Sequence, residues 1–346
     1  MRDILGRTAS DLYPGYFAFV MATGIVSIAA HLLEMAGPDW LLFYLNIAAY
    51  LLLWLLTLIR LLRYRPRLLA DLTDHARAPG FLTMVAGTCV LGSQFAILTL
   101  RVSIAAALWI AGLVLWLLLI YAFFTAVTMR ESKPALENGI NGAWLLVVVS
   151  TESIGVLGTL VAPALGATEL VLLISFAVYL VGAMLYIPFI TLILYRWMFF
   201  SFRVDVMTPS YWINMGALAI ATLAGSRLLL AADQWSFLQE LAPFVRGLTF
   251  LFWAVATWWI PLLVIVGIWR HIVKRVPLTY DPQYWALVFP LGMYAVATFM
   301  WIKATGLTVL SVIPQVFVPI ALLAWLATFA GLVAHLLRSL LRLGAT

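Results

Sequence analysis

The residues of this chain that could do chemistry are few, and most lie inside apolar surroundings. Phe289 and Pro290 occupy the middle of DPQYWALVFPLGMYAVATFM, Asp281 to Met300, an apolar run about one bilayer thick. A Pro at that depth removes a helix N–H and frees a carbonyl that needs a partner in neighbouring protein or trapped water, so it marks a helix facing a bundle or a wet cavity. A ring just ahead of such a kink can plug a narrow lumen by steric closure and dewetting. The plainer reading is one core Phe among twenty. Arg101, Arg227 and Lys303 stand at the far ends of apolar runs. A ring of cations there would concentrate anions at a mouth, although long cationic side chains also snorkel to headgroups with no further role. Arg227 is the deepest of the three, since apolar Leu228 to Ala232 follow it. Glu152, in the motif STES, sits mid-run. An ionisable group at that depth marks an ion path, a proton relay or a buried pair, or it is a neutral acid bonded to nearby hydroxyls. His31 could titrate in the same way or serve as an interfacial histidine.

Soluble enzyme chemistry finds no foothold. The four histidines, His31, His75, His271 and His335, are dispersed and share no metal-ligand spacing. No phosphate-cradling glycine loop or cysteine cluster is present, so neither cofactor nor metal is expected. The single cysteine, Cys89, excludes an internal disulfide.

The elements that must position these groups are membrane spans. The chain has 346 residues, 65% hydrophobic and 10% charged, a composition that no soluble domain can hide. Fifteen Trp and thirteen Tyr suit interfacial belts. Apolar runs of about 20 residues predict ten spans, at 13–33, 40–62, 79–100, 104–129, 139–162, 168–199, 209–231, 244–273, 284–304 and 315–341. No stretch between them is long enough for a soluble domain, so a single membrane domain is expected over 1–346. With the N-terminus on side one, that side receives sixteen of the 20 Lys and Arg residues, Arg2, Arg7 and Arg342 among them, and side two keeps Arg101, Arg227, Arg246 and Lys303. The positive-inside rule then makes side one cytoplasmic, both termini included, in a cell membrane. The basic loop Arg60 to Arg77 is explained by topology and anionic lipid, not by nucleic acid.

Each odd span opens on a related motif: Pro14-Gly15-Tyr16-Phe17, Pro79-Gly80-Phe81-Leu82, Asn141-Gly142-Ala143-Trp144, Pro209-Ser210-Tyr211-Trp212 and Pro282-Gln283-Tyr284-Trp285. The repeating unit is one helical hairpin, present five times. Aligned on these motifs, the Phe289 column holds Met21, Ala86, Val148 and Gly216. Odd spans carry small and hydroxylated residues, including Thr23, Thr88, Ser150, Thr151 and Asn214, whereas even spans are nearly all bulky aliphatic or aromatic. Small polar residues favour a bundle interior, so five inner helices inside five outer ones are expected. Thr23, Thr88, Ser150, Thr151, Glu152, Asn214 and His31 are the candidates to line an enclosed path or couple protons to it.

GYFAFVMATGIVSIA at 15–29, VVVSTESIGVLG at 147–158, PSYWINMGALAIATLAG at 209–225 and YWALVFPLGMYAVAT at 284–298 resemble the tellurite-resistance/dicarboxylate transporter family, which includes the yeast malate permease and the plant guard-cell slow anion channels. The resemblance covers nearly the whole chain. It implies an all-α integral membrane protein, ten helices as five hairpins in quasi-five-fold arrangement around a central pore, usually assembled as homotrimers. It further implies a Phe on the ninth helix closing that pore, which falls on Phe289 by its place before Pro290. The expected function is passage of C4-dicarboxylates such as malate or succinate, or of small inorganic anions. A proton-coupled carrier using Glu152 or His31 is one alternative, and a non-transporting accessory subunit is another.

Overall fold

Five times along the chain a tight 3-10 turn feeds an apolar helix. The turns are Pro14–Phe17, Ala78–Leu82, Gly142–Leu145, Pro209–Trp212 and Pro282–Tyr284. Pro stands in the first positions of four of them, where its fixed φ suits the turn and its missing N–H costs nothing. The third replaces Pro with a cap: the Asn141 side-chain oxygen accepts the Ala143 N–H at 2.8 Å. Asp281 does the same for Gln283 at 2.7 Å.

The computed structural model describes residues 6, 8–204 and 206–344, the side chains of 339, 340 and 342–344 excepted. Of the charges counted for orientation, Arg2, Arg7 and the Arg342 side chain lie outside the described residues. No strand occurs among the described residues. Ten helices are long and apolar enough to cross a membrane, so the chain is a multi-pass membrane protein. The odd ones, each continuing from its turn, are α1 (Ala18–Leu32), α3 (Thr83–Leu98), α5 (Leu146–Val161), α7 (Ile213–Leu230) and α9 (Trp285–Thr305). The even ones are α2 (Pro38–Arg63), α4 (Val102–Met129), α6 (Thr168–Phe199), α8 (Ser236–Ile268) and α10 (Val312–Gly344). Most span ends fall within a few residues of the sequence expectation. The tenth begins at Thr308 instead of near 315, and the eighth at Ser236 instead of near 244. Gln239, Glu240 and Pro243 lower the hydropathy of that first stretch without breaking the helix.

The odd helices form a ring. Each packs on the next in the order α1, α3, α5, α7, α9, and α9 closes on α1. The 3-10 turns close a second ring in the same order at side one. Even helices stand outside, each against its own hairpin partner, and each also touches a second inner helix, α8 reaching α9 through Trp253–Thr298 and Thr257–Tyr294 hydrogen bonds. Burial separates the two sets: 78–94% of the apolar window of each odd span is buried, against 17–44% for the even spans. Lipid is as apolar as Leu, so close approach between helices comes from small residues and interhelical hydrogen bonds. Gly155 and Gly158 let α5 lie against Ser175 of α6, and a Cβ on Gly216 would stand 2.7 Å from the Pro290 ring across the α7–α9 contact.

A feature not anticipated from hydropathy is the short helix Arg65–Thr73 on side one. Its Asp71 receives Arg60 at 2.6 Å and Arg77 at 2.6 Å, and Arg77 lies over the Tyr13 ring at 5.5 Å. The network ties the α2 end to the first leading turn.

Candidate functional site

Inside the ring two cavities lie end to end. The side-two cavity, about 200 Å³, draws its wall from all five inner helices. Its innermost layer is Ile25, Val90, Ser153, Ile220 and Met293, the next is Ile28, Ser93, Val156, Leu223 and Val296, and the outermost is Leu32, Ile97, Leu160, Arg227 and Met300, with Lys303 beyond. The side-one cavity, about 20 Å³, is lined by the leading turns and the first helical residues, including Tyr13, Gly15, Ala18, Ala143, Ser210, Ile213, Gln283 and Ala286, and by Met21 and Phe289.

One register generates every layer. Counted from Pro14, Pro79, Gly142, Pro209 and Pro282, the same offsets line the axis in all five repeats. The sequence alignment placed Asn141 there, one residue too early. The physical reason is that Asn141 caps the turn from outside it, as Asp281 does, and so corresponds to Tyr13 and not to Pro14. The Phe289 column is therefore Met21, Ala86, Val149 and Gly216, with Val149 in place of Val148.

This column forms the layer between the two cavities. Phe289 is 1% exposed, and Met21, Ala86 and Val149 are equally closed off. Pro290 lies inside α9 and supplies no N–H to the Ala286 carbonyl one turn earlier. Ala286 is itself on the side-one cavity wall. Gly216 gives Pro290 the space to sit against α7. Ring and kink are thus held together at the layer between the two cavities.

Arg227 and Lys303 line the side-two cavity. Arg227 is half-buried, and its Nε lies 3.4 Å from the Thr159 hydroxyl. No carboxylate lies within ion-pair distance of either cation among the described residues. A positive end on a vestibule whose remaining wall is uncharged favours anions inside it. Arg101 is exposed at the α3–α4 connection and takes no part in the cavity wall.

The hydroxyls expected on the path lie elsewhere. Thr23 accepts the Trp325 indole N–H of α10 at 2.9 Å, Thr151 accepts that of Trp116 of α4 at 2.9 Å, and Thr88 pairs with Tyr50 of α2 at 3.0 Å. All three face the seam between the inner and outer rings. Ser150 donates to the Val147 carbonyl of its own helix. The Asn214 amide is fully buried and unpaired, and neither residue is on a cavity wall. Glu152 points at α6: a Cβ on Gly182 would collide with its carboxyl. Both carboxyl oxygens are buried without a hydrogen-bond partner. His31 pairs with Asp39 at 3.0 Å across the α1–α2 turn, off the axis. These polar residues do not mark the cavities because the cavity walls are mostly aliphatic side chains. The signal that finds it is the i, i+3, i+7 spacing held in common by the five repeats.

Residues 11–333 match the model of a family described as voltage-dependent anion channel. An uncharacterized transporter of Methanocaldococcus jannaschii is 25% identical over 305 residues, which are 86% of this chain and 87% of that protein. A second uncharacterized transporter of that organism is 25% identical over 300 residues, 85% of this chain and 84% of that protein. An uncharacterized membrane protein of Mycobacterium tuberculosis is 37% identical over 160 residues, 46% of this chain and 81% of that protein.

Proposed function

The chain belongs to the voltage-dependent anion channel family, a family of channels and transporters and not of enzymes, and we propose that it passes small anions along the axis of the inner ring with the Phe289 ring as the barrier. The observation that carries this reading is the succession along one axis: a side-two vestibule bearing Arg227 and Lys303, a closed layer at Phe289, and a second cavity below it. C4-dicarboxylates such as malate and succinate, and small inorganic anions, are the substrates that a vestibule of about 200 Å³ with two cations would admit. Selectivity then comes from lumen width and positive potential instead of a tight site. A proton-coupled carrier needs a titratable group on the path. The cavity walls contain no carboxylate or imidazole, and Glu152 faces α6, which favours passive conduction. Side one is the cytoplasmic face of the cell membrane in this reading, on the strength of the Lys and Arg distribution. The assembly that accompanies it is a homotrimer in lipid, each protomer with its own passage.

The test is current across a planar bilayer for wild type and Phe289→Ala with malate, nitrate and chloride supplied in turn. The expected result is a large anion-selective current in the variant and little in wild type. Silence in both, together with no uptake of labelled malate, overturns the reading.

A further inference from the structure

On side one, away from the axis, a separate polar pocket of about 230 Å³ opens between the Arg65–Thr73 helix end and the α4–α5 connection. Arg130, Lys133, His75, Ser132, Asn138 and Asp74 line it. Arg130 is the C-cap of α4, so the pocket lies at the level where a span leaves the membrane. The Asp74 carboxylate is occupied in capping, since one of its oxygens accepts the N–H groups of Ala76 and Arg77, each at 2.9 Å. No carboxylate pairs with Arg130 or Lys133 among the described residues. One Arg130 nitrogen donates to the Thr73 carbonyl at 2.6 Å, which fixes the guanidinium and leaves its other N–H groups to the pocket. His75 is more than nine-tenths buried, and its Nδ1 has no hydrogen-bond partner. Burial and then the Arg130 charge push the His75 imidazole pKa below its ordinary value, Lys133 adding to this against Asp74. Arg130 and Lys133 thus bring two positive charges to the pocket against the single negative charge of Asp74.

We propose that this pocket binds a phosphoryl anion, held by Arg130 and Lys133 with Ser132, Asn138 and His75 as hydrogen-bonding partners. Guanidinium and ammonium groups set beside neutral donors are the usual recognition set for phosphate, and basic pockets beside spans on the cytoplasmic side take lipid headgroups. A free phosphate and a phospholipid headgroup present the same chemistry. The pocket also bears on the passage. The Trp144 indole N–H is shared by the His75 carbonyl at 3.0 Å and the Gly139 carbonyl at 2.9 Å, and Trp144 sits in the third leading turn beside Ala143 of the side-one cavity.

The site does not depend on the transport reading, and its test uses the full chain in the Arg227→Gln background to weaken the vestibule's contribution, each pocket variant being compared with that background. Inorganic phosphate is titrated calorimetrically into detergent-purified protein, and bound phospholipid is counted by native mass spectrometry after reconstitution in phosphatidylcholine with or without phosphatidic acid. Saturable phosphate binding, weakened at least about tenfold by Lys133→Gln and by Arg130→Gln, assigns a free anion. Retention of phosphatidic acid that both variants lose, without phosphate binding, assigns the headgroup. Lys133→Gln removes an exposed side chain and leaves the fold intact, which keeps the result readable if Arg130→Gln misfolds. Equal phosphate and lipid binding in the Arg227→Gln protein with and without Lys133→Gln overturns the proposal.

Discussion

Residue type alone misleads inside this ring, and two substitutions separate path from seam. Thr23 looks like a lumen hydroxyl but spends its oxygen on Trp325 of α10. Hydrogen bonds of this kind between membrane helices contribute on the order of 0.6 kcal/mol. Thr23→Val should therefore lower thermal stability in detergent slightly and leave the anion current of Phe289→Ala channels unchanged; a clear change in current would return Thr23 to the path. Arg227 is the opposite case, since no carboxylate competes for it and its side chain borders the vestibule. Focused potentials raise local ion concentration by tenfold or more, so Arg227→Gln in the Phe289→Ala channel should cut anion current at low salt by about tenfold, and by less at high salt where screening already weakens the field. A salt-independent loss would point to a steric role. Arg101, exposed and off the wall, should matter little in the same recording.

The leading turns carry a prediction of their own because they meet backbone to backbone. A Cβ on Gly142 would strike the Ser210 carbonyl, and one on Gly80 would come within 2.8 Å of the Gly15 nitrogen. Neither obstacle is a flexible side chain that could swing aside. Gly142→Ala should destabilise by about 1–3 kcal/mol, the usual cost of overpacking, seen as a lower melting temperature and poorer recovery from detergent. Gly247→Ala, where the added Cβ meets nothing within 4 Å, is the control and should not destabilise. The same turns explain what could be read from sequence. Ten spans, inner against outer, and the five-fold repeat were legible because four of the five hairpins start on Pro, all five carry an aromatic there, and bulky residues mark the lipid side. The third register was not legible. Pro and Asn can each begin a turn, but Pro sits inside it and Asn caps it from the residue before, so aligning one on the other moved α5 by one place. One residue on a helix is 100° of rotation, enough to confuse a wall residue, Ser153, with its neighbour Glu152 on the α6 face.

At the scale of the molecule, the proposed passage is one continuous axis from side to side, interrupted at a single level. Phe289, Arg227 and Lys303, which line the cavities, stand out in the sequence because a Pro kink and cations in apolar runs are conspicuous there. The aliphatic wall could not, since Ile, Val and Met are equally at home against lipid. That wall makes the claim testable by access. In a Cys89→Ala background, Leu160→Cys places a thiol on the side-two cavity, and Ala286→Cys places one on the side-one cavity beneath the Phe289 layer. A charged, membrane-impermeant methanethiosulfonate applied from side two should modify Leu160→Cys at once and leave Ala286→Cys untouched. Adding Phe289→Ala should expose Ala286→Cys to the same reagent from the same side, with little change at Leu160→Cys. If Ala286→Cys reacts from side two while Phe289 is intact, the barrier lies elsewhere. If it stays protected after the ring is removed, Met21 and Val149 close the layer without Phe289, and opening then requires the inner helices to move apart and not one side chain to swing clear.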